Sequence, residues 1–175
     1  MTPGKHRIFG ITGWKNSGKT TLAVKLVGEL IGRGWKVSTV KHAHHDFDID
    51  KEGTDSYRHR KAGAGEVAIV SDQRWALMHE LSGEGEPALA EIIARFASCD
   101  LVLVEGYKRE QHKKLEARRL DARSNDPLSA NDPTIVAIAS DYPVTGETIP
   151  VFDLDDIAGL ADLIEREMQL TRGAR

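Results

Sequence analysis

The sequence contains a single cysteine, Cys99, among its 175 residues. One thiol cannot form an internal disulfide bond, so a disulfide-stabilised fold is excluded. The chain also lacks an uninterrupted apolar stretch of about eighteen residues, the least that a membrane-spanning helix needs. Residues 1–5 lack the apolar segment of a signal peptide. These absences predict a cytoplasmic protein in a reducing compartment, with no membrane partner.

The chain has little net charge, because 24 basic residues are balanced by 27 acidic residues to give −3. Proteins that attract nucleic acids electrostatically are usually basic, so we expect no nucleic-acid partner. Hydrophobic residues make up 40% of the chain and charged residues 29%, as in a globular protein. This length predicts a single domain spanning residues 1–175.

A glycine-rich motif with the pattern G-x-x-x-x-G-K-[ST] lies at residues 13–20, with the sequence GWKNSGKT. Such a loop presents backbone N–H groups and a helix N-terminus to an anion, and it binds nucleotide phosphates. We expect Lys19 to reach the β- and γ-phosphates and the Thr20 hydroxyl to bind Mg²⁺. The residues predicted to contact the phosphates are Gly13, Asn16, Ser17, Gly18, Lys19, Thr20 and Thr21.

The segments around this motif predict an alternation of strands and helices. Residues 7–12 form a short apolar segment before the motif, and residues 20–33 carry leucines four apart, which is typical of a helix. Further strands are predicted at 36–40, 66–71, 74–78, 101–104, 135–139 and 149–152, and further helices at 54–62, 87–97 and 155–170. This order predicts an α/β fold, a three-layer P-loop NTPase with a Rossmann-like, mostly parallel sheet and a β-hairpin insertion.

The segment that follows the second predicted strand is dense in ionisable groups. It lies where ligands bind in such a sheet, at the carboxyl ends of the strands. One interpretation is a switch-like loop in which Asp46 or Asp48 contacts the metal through water or orients the attacking water. A second is a transition-metal site, and a third is a solvated polar loop. The ligands of the metal site would be His42, His44 and His45.

The strand predicted at residues 101–104 is apolar without alternation, as in a parallel sheet covered on both faces. It ends in Glu105 and Gly106, which resembles a Walker B arrangement. A carboxylate at this position can hold the Mg²⁺ shell, and the glycine leaves room for a backbone N–H to meet the γ-phosphate. The alternative is an ordinary surface charge at a strand end.

The base that the nucleotide carries is harder to predict, since the guanine-reading motif N-K-x-D is absent. Asp141 follows a late strand, where a base-contacting loop is expected. Its carboxylate could accept hydrogen bonds from guanine N1–H and N2–H₂, whereas adenine offers no such pair. Asp141 is equally consistent with a turn before Tyr142 and Pro143. The residues alone therefore predict a magnesium–nucleoside triphosphate site with an undecided base.

Several segments together resemble the molybdopterin-guanine dinucleotide biosynthesis protein B family, the GTP-binding adapter of molybdenum cofactor maturation. The resemblance runs in order across most of the chain, and the phosphate loop is its least specific part. The matching segments are 17–21 (SGKTT), 41–46 (KHAHHD), 55–57 (DSY), 60–64 (RKAGA), 73–78 (QRWALM), 103–108 (LVEGYK) and 137–141 (AIASD).

The resemblance implies a GTPase-like fold, GTP with Mg²⁺ as ligands and at most slow hydrolysis. It also implies a guanylyltransferase as partner, with molybdopterin as a candidate direct ligand, and a homodimer. By the same analogy, Gly18, Lys19, Thr20 and Thr21 bind phosphates and Mg²⁺, whereas residues 42–46 form the switch. Glu105 and Gly106 would belong to the Walker B end.

Two other functional classes remain open at this point. A small-molecule kinase would need a lid over the γ-phosphate, and residues 111–123 fit a strand at least as well as a lid helix. A metallochaperone GTPase of the nickel type would use the three histidines as ligands. The chain lacks a clear water-positioning glutamine or arginine finger, which indicates slow intrinsic hydrolysis.

Two surface features have open interpretations. Trp75 and Met78 either form an apolar patch on an exposed hairpin, suited to a dimer interface, or pack within their own domain. The basic runs at 58–61 and 112–114 are expected to be solvated, although the first could meet an anionic ligand or an acidic partner.

Overall fold

The computed structural model describes residues 6–43 and 47–171. The chain divides into two compact units, one formed by Met1–His42 with Ile93–Arg175 and the other by Ala43–Ile92. No helix in the described ranges is both long and apolar enough to cross a membrane. The elements in chain order are β1 (Ile8–Thr12), α1 (Lys19–Gly32), β2 (Val37–Lys41), α2 (Asp55–Lys61), β3 (Glu66–Val70), β4 (Trp75–His79), α3 (Leu89–Ile93), β5 (Leu101–Glu105), β6 (Lys114–Arg118), β7 (Ile135–Ser140), β8 (Val151–Asp153) and α4 (Ile157–Glu167).

The first unit contains a sheet whose described strands run in the order β2-β5-β1-β6-β7-β8. Every neighbouring pair in this order is parallel, so the expected α/β fold with a mostly parallel sheet is confirmed. β5 is buried from Leu101 to Val104, as its unalternating apolar sequence predicts. Because the strands are parallel, the loops that follow β1, β2, β5, β6 and β7 all leave from one edge of the sheet.

One face of this sheet packs against α1 and α4. Leu22, Leu26 and Leu30 recur every four residues along α1, and all are buried. They share one apolar core with Phe9 and Ile11 of β1 and with buried residues of α4. The 3.6-residue period of a helix places these leucines on a single stripe, which fixes the face that α1 presents to the sheet. The core therefore holds the start of α1 against the end of β1.

β6 carries charged side chains that are buried, which the sequence analysis did not predict. Lys114, expected in a solvated run, is completely inaccessible to solvent. That expectation was wrong because loop groups enclose the ammonium, which donates to the carbonyl oxygens of Lys108 (3.2 Å) and Glu110 (2.6 Å). It also pairs with Asp132 at 3.1 Å. A buried charge is tolerated only with such partners, so Lys114 fixes the loop between β5 and β6.

A second buried ionic group lies at the other end of β6. Arg118 contacts Glu116 and Glu147, each at 2.8 Å. Glu116 in turn accepts hydrogen bonds from the backbone N–H groups of Leu128 (2.9 Å) and Ser129 (3.0 Å). These bonds attach the segment after β6 to the sheet. Residues 114–118 pair with β1 and β7 as a strand, so this stretch is not a kinase-type lid helix.

The second unit contains the expected hairpin, in which β3 and β4 pair antiparallel. Trp75 and Met78 point to opposite faces, since Trp75 is 71% exposed and Met78 only 8%. Met78 lies opposite Val67, which is also buried. Trp75 lies opposite the exposed Val70. Met78 therefore packs within its own unit, whereas the interface role of Trp75 stays a prediction.

Two predicted features of the second unit need correction. Arg60, expected on a solvated helix face, is largely buried and pairs with Asp48 and Asp50 at 2.7 Å each. The helix predicted over 87–97 is only Leu89–Ile93 in the structure.

Gly10 in β1 allows a close approach that a larger residue would prevent. A Cβ at this position would lie 2.5 Å from His112 Nε2 and 2.8 Å from Lys114 Cβ. We expect Gly10→Ala to lower the free energy of unfolding by about 1–3 kcal/mol, the usual cost of overpacking. Urea denaturation measures this change.

Gly28→Ala is the matched control. Gly28 lies in α1, and a Cβ there would meet nothing within 4 Å. Because alanine favours a helix over glycine by about 0.5–1 kcal/mol, this variant should be unchanged or more stable. Equal effects of the two substitutions would contradict the packing described for β1 and His112.

Candidate functional site: the phosphate loop and the adjoining pocket

The loop between β1 and α1 has the backbone that a phosphate site requires. Gly13, Asn16 and Gly18 have φ values of 147°, 66° and 83°, in or near the left-handed region. A Cβ at Gly13 would collide with the Ser17 side chain and lie 2.5 Å from the Ala117 carbonyl oxygen. Glycine is therefore needed at position 13 for both its conformation and its closeness to β6.

Two hydroxyl groups, one in this loop and one at the end of β1, are buried and make no hydrogen bond within the described residues. They are Thr12 Oγ1 and Ser17 Oγ. Buried polar groups are nearly always hydrogen-bonded, and those left without a partner often mark a ligand site. The hydroxyl groups of Thr12 and Ser17 are therefore unused donors in addition to the backbone N–H groups of the loop.

Lys19, the motif lysine, is the first side chain of α1. Its ammonium donates a hydrogen bond of 2.7 Å to the Trp14 carbonyl oxygen at the start of the loop. Burial lowers the pKa of Lys19, the Glu105 carboxylate raises it, and the neighbouring Lys108 and Lys41 lower it further. An anion placed here would relieve the repulsion among these lysines.

Thr20 and Glu105, the two predicted magnesium ligands, lie together. The Thr20 hydroxyl donates to Glu105 Oε1 at 2.6 Å. This contact follows from the topology, since β5 lies beside β1 and both end at the same edge. A hydroxyl and a carboxylate are oxygen ligands of the kind that Mg²⁺ prefers alongside phosphates and water. The donor set therefore fits a magnesium ion bound with a nucleotide.

Lys41 is a further member of this group, which sequence reasoning missed. Its ammonium lies 3.2 Å from Thr20 Oγ1 and 3.5 Å from Glu105 Oε1. A cationic side chain thus already sits beside the two predicted metal ligands. The position of Lys41 as the last residue of β2 was the available signal, since β2 pairs directly with β5.

The turn after Glu105 brings β5 close to the end of β2. Gly106 has φ 93° and Tyr107 has φ 47°. A Cβ at Gly106 would lie 3.1 Å from His42 Cβ, so glycine allows this close approach. The Gly106 N–H donates to the Ile11 carbonyl oxygen at 3.1 Å, so the predicted contact with a γ-phosphate would require that bond to open.

Lys108 lies over the ring of Trp14 in the phosphate loop, with its ammonium 4.1 Å from the ring centroid. This cation–π contact is supported by the Trp14 indole N–H, which donates to the Asp126 carbonyl oxygen at 2.8 Å. Burial lowers the pKa of Lys108. Sequence reasoning missed this residue because its position depends on Lys114, whose buried ammonium donates a hydrogen bond to the Lys108 carbonyl oxygen.

A cavity of about 250 Å³ adjoins the end of the loop at Gly18. Its floor is formed by the start of α1, and Asp141 lies in its wall. Other lining residues include Gly18, Thr21, Lys25, Arg119 and Leu154. Asp141, the predicted base-reading residue, accepts hydrogen bonds from the Leu120 N–H (2.9 Å) and Arg119 Nε (3.2 Å). Lys25 pairs with Asp155 at 2.6 Å.

The predicted switch residues are only partly described. His44, His45 and Asp46 lie outside the described residues. Asp48 belongs to the second unit, where its carboxylate is paired with Arg60. In the ranges 6–43 and 47–171, no group of three or more His, Cys, Asp or Glu side chains could hold a metal ion. The three-histidine site and the switch role both stay predictions.

The chain matches the family model described as Molybdopterin guanine dinucleotide synthesis protein B over residues 8–141. It belongs to this family. A Molybdopterin-guanine dinucleotide biosynthesis adapter protein of Escherichia coli (strain K12) is 39% identical over 168 residues, covering 95% of each chain. One of Haemophilus influenzae is also 39% identical, over 171 residues, covering 96% of this chain and 93% of the relative. The resemblance found in the sequence is confirmed.

Solved structures of this family have the same fold. A MobB homologue from Bacillus stearothermophilus superposes with a TM-score of 0.70 and 29% identity, covering 94% of this chain and 99% of that one. Bacillus subtilis MobB gives a TM-score of 0.74 at 23% identity, a likeness that concerns the fold alone. The P-loop NTPase-like architecture expected from the sequence is therefore confirmed for this member of the MobB family, and it is consistent with nucleotide binding.

Proposed function

We propose that the chain is a GTP-binding adapter in molybdopterin-guanine dinucleotide biosynthesis. Its relatives carry the adapter name, and its phosphate loop adjoins a pocket lined by Asp141, the predicted base-reading residue. The partner would be the guanylyltransferase that attaches GMP to molybdopterin. The nucleotide part of this proposal depends on the position of Gly18. This residue borders the pocket that contains Asp141, and it caps the start of the helix that carries Lys19.

The phosphate end of the site is assigned to Lys19, Thr20 and Glu105. Lys19 would turn from the Trp14 carbonyl oxygen to the β- and γ-phosphates, while Thr20 and Glu105 would hold Mg²⁺. When bound, the ion neutralises charge on the phosphate oxygens. Lys41 would move from its present position beside Thr20 toward the phosphates. Its ammonium would then form an ion pair with the phosphate oxygens. Thr12 and Ser17 offer the buried hydroxyl groups noted above as further donors.

Hydrolysis of GTP would be slow at most. The proposed switch residues are Asp46 and Asp48, and the Asp48 carboxylate is already engaged by Arg60 at 2.7 Å. Activating a water molecule would require this ion pair to open. A carrier that delivers GTP to a partner has no need of fast turnover, so this arrangement suits an adapter.

A homodimer is part of the proposal. One face of the hairpin exposes Val70, Trp75 and Leu77, and Val70 lies directly opposite Trp75. Exposed apolar clusters of this kind commonly mark protein interfaces. The hairpin face is therefore our candidate for contact with a second copy of the chain.

The adapter role is tested by guanylyl transfer at limiting GTP. We expect the wild-type chain to increase the rate at which the guanylyltransferase forms the dinucleotide. Lys19→Ala should abolish this increase and weaken GTP binding by at least about tenfold, because a charged hydrogen bond to phosphate is lost. Calorimetry measures the affinity, and product formation measures the transfer.

Lys15→Ala is the control for this experiment, since Lys15 is an exposed lysine of the same loop. Its carbonyl oxygen accepts a hydrogen bond from the Arg123 N–H, and alanine keeps that bond. This variant should behave like the wild type. A wild-type chain without effect on transfer would contradict the adapter role. Unchanged GTP affinity in Lys19→Ala would contradict the phosphate-site assignment.

The base assignment is tested by Asp141→Asn. Asparagine replaces one acceptor oxygen by an NH₂ donor, which mismatches guanine N–H groups and matches the C2 carbonyl of xanthine. We expect GTP affinity to fall by about tenfold or more and xanthosine triphosphate affinity to rise. Competition titration of both nucleotides measures this exchange. If the preference for GTP over ATP survives and xanthosine triphosphate gains nothing, the base binds elsewhere.

A further inference from the structure

Arg119 occupies a position between the phosphate loop and the base-side carboxylate. It follows directly on β6, at the edge of the sheet where the loops of the site meet. A Cβ on Gly18 would lie 3.0 Å from Arg119 Cδ and 3.6 Å from Leu154 Cδ2. The aliphatic part of Arg119 therefore packs against the start of α1, beside Leu154, and forms part of the cavity wall.

The guanidinium end of Arg119 holds one oxygen of Asp141. Arg119 Nε lies 3.2 Å from Asp141 Oδ2, and the backbone N–H of Leu120 donates to Oδ1 at 2.9 Å. Donors from two consecutive residues thus engage both carboxylate oxygens. Two contacts of this kind fix the plane of a carboxylate, whereas one would leave it able to rotate.

Asp141 retains acceptor capacity after these two bonds. An ionised carboxylate has about four acceptor positions, so about one remains on each oxygen. Guanine needs two acceptors side by side, one for N1–H and one for N2–H₂. The number of remaining positions matches that need, and their orientation depends on the two donors already in place.

Arg119 also balances charge in the cavity. A triphosphate on the adjoining loop is strongly anionic, and an uncompensated Asp141 carboxylate would repel it at short range. The other cation in the wall, Lys25, is paired with Asp155 and so does not serve this purpose for Asp141. The positive charge beside Asp141 is therefore supplied by Arg119.

We propose that Arg119 determines nucleotide specificity by orienting the Asp141 carboxylate for guanine while its side chain forms one wall of the base pocket. This inference rests on the proposed GTP site. In specificity Arg119 is a positioning residue, because it acts on guanine through Asp141, while its aliphatic stem only bounds the pocket. Leu120 contributes through its backbone N–H, so its exposed side chain can vary without affecting the site.

Two substitutions separate orientation from packing. Arg119→Ala removes the wall, the charge and the hydrogen bond, so GTP affinity should fall by about tenfold and the GTP-to-ATP affinity ratio should fall by a similar factor. Arg119→Lys keeps a stem and a charge but places a methylene where Nε donates to Asp141, so ATP affinity should be retained while the ratio still falls. Calorimetry with GTP, inosine triphosphate and ATP measures both.

Arg123→Ala is the matched control. Arg123 is exposed in the same segment, and its contact with the phosphate loop is made by its backbone N–H to the Lys15 carbonyl oxygen at 2.9 Å. Alanine preserves that bond, so all nucleotide affinities should match the wild type. Thermal unfolding of each variant confirms that the fold is intact.

The outcomes distinguish this inference from the function on which it rests. An equal loss of affinity for GTP and ATP in Arg119→Ala, or an unchanged ratio in Arg119→Lys, overturns the specificity role. If Asp141→Asn alters the GTP preference in the same assay, the base site stands and only the role of Arg119 fails. If neither Asp141→Asn nor Arg119→Ala alters it, the proposed base site fails as well.

Discussion

The central place of β1 in a parallel sheet is the constraint on which the site depends. β5 lies on one side of β1 and β6 on the other, so the loop after β1 is flanked by the ends of both. Glu105 reaches Thr20 from the β5 side, and Arg119 reaches the Gly18 region from the β6 side. Gly10 and Gly13 permit this crowding because they carry no side chain where β6 and its preceding loop approach.

The buried charges of β6 link the sheet to the loops around the proposed nucleotide site. Lys114 donates hydrogen bonds to two carbonyl oxygens in the loop that carries Lys108. Glu116 holds the segment after β6, which returns to the phosphate loop through Trp14. Hydrophobic side chains at these positions could be as stable, but they could not fix polar loop backbone in this way. Positioning of the loops is thus our explanation for charged residues inside the sheet.

The sequence predicted those features that depend on local pattern. The phosphate loop, the unalternating β5 and the hairpin each follow from short motifs or from periodicity. Thr20 and Glu105 were each predicted as magnesium ligands, and they lie together because parallel strands share a carboxyl edge. Lys114 and Arg60 were missed because their burial depends on partners distant in sequence, such as Asp132, or on a loop conformation without periodicity. The contrast between Trp75 and Met78 needed the strand register, which only the pairing with β3 fixes.

The preference for guanine over adenine is the central claim, and calorimetric titration of the wild-type chain with GTP and ATP, each with Mg²⁺, tests it most directly. A pair of charged hydrogen bonds that guanine N1–H and N2–H₂ donate to Asp141 predicts that GTP binds at least about tenfold more tightly than ATP. The preference should tighten further when the guanylyltransferase is present. Equal affinities would contradict the GTP-binding adapter and favour a site that reads only the phosphates. Tighter binding of ATP that the partner leaves unchanged would also contradict it and favour a small-molecule kinase.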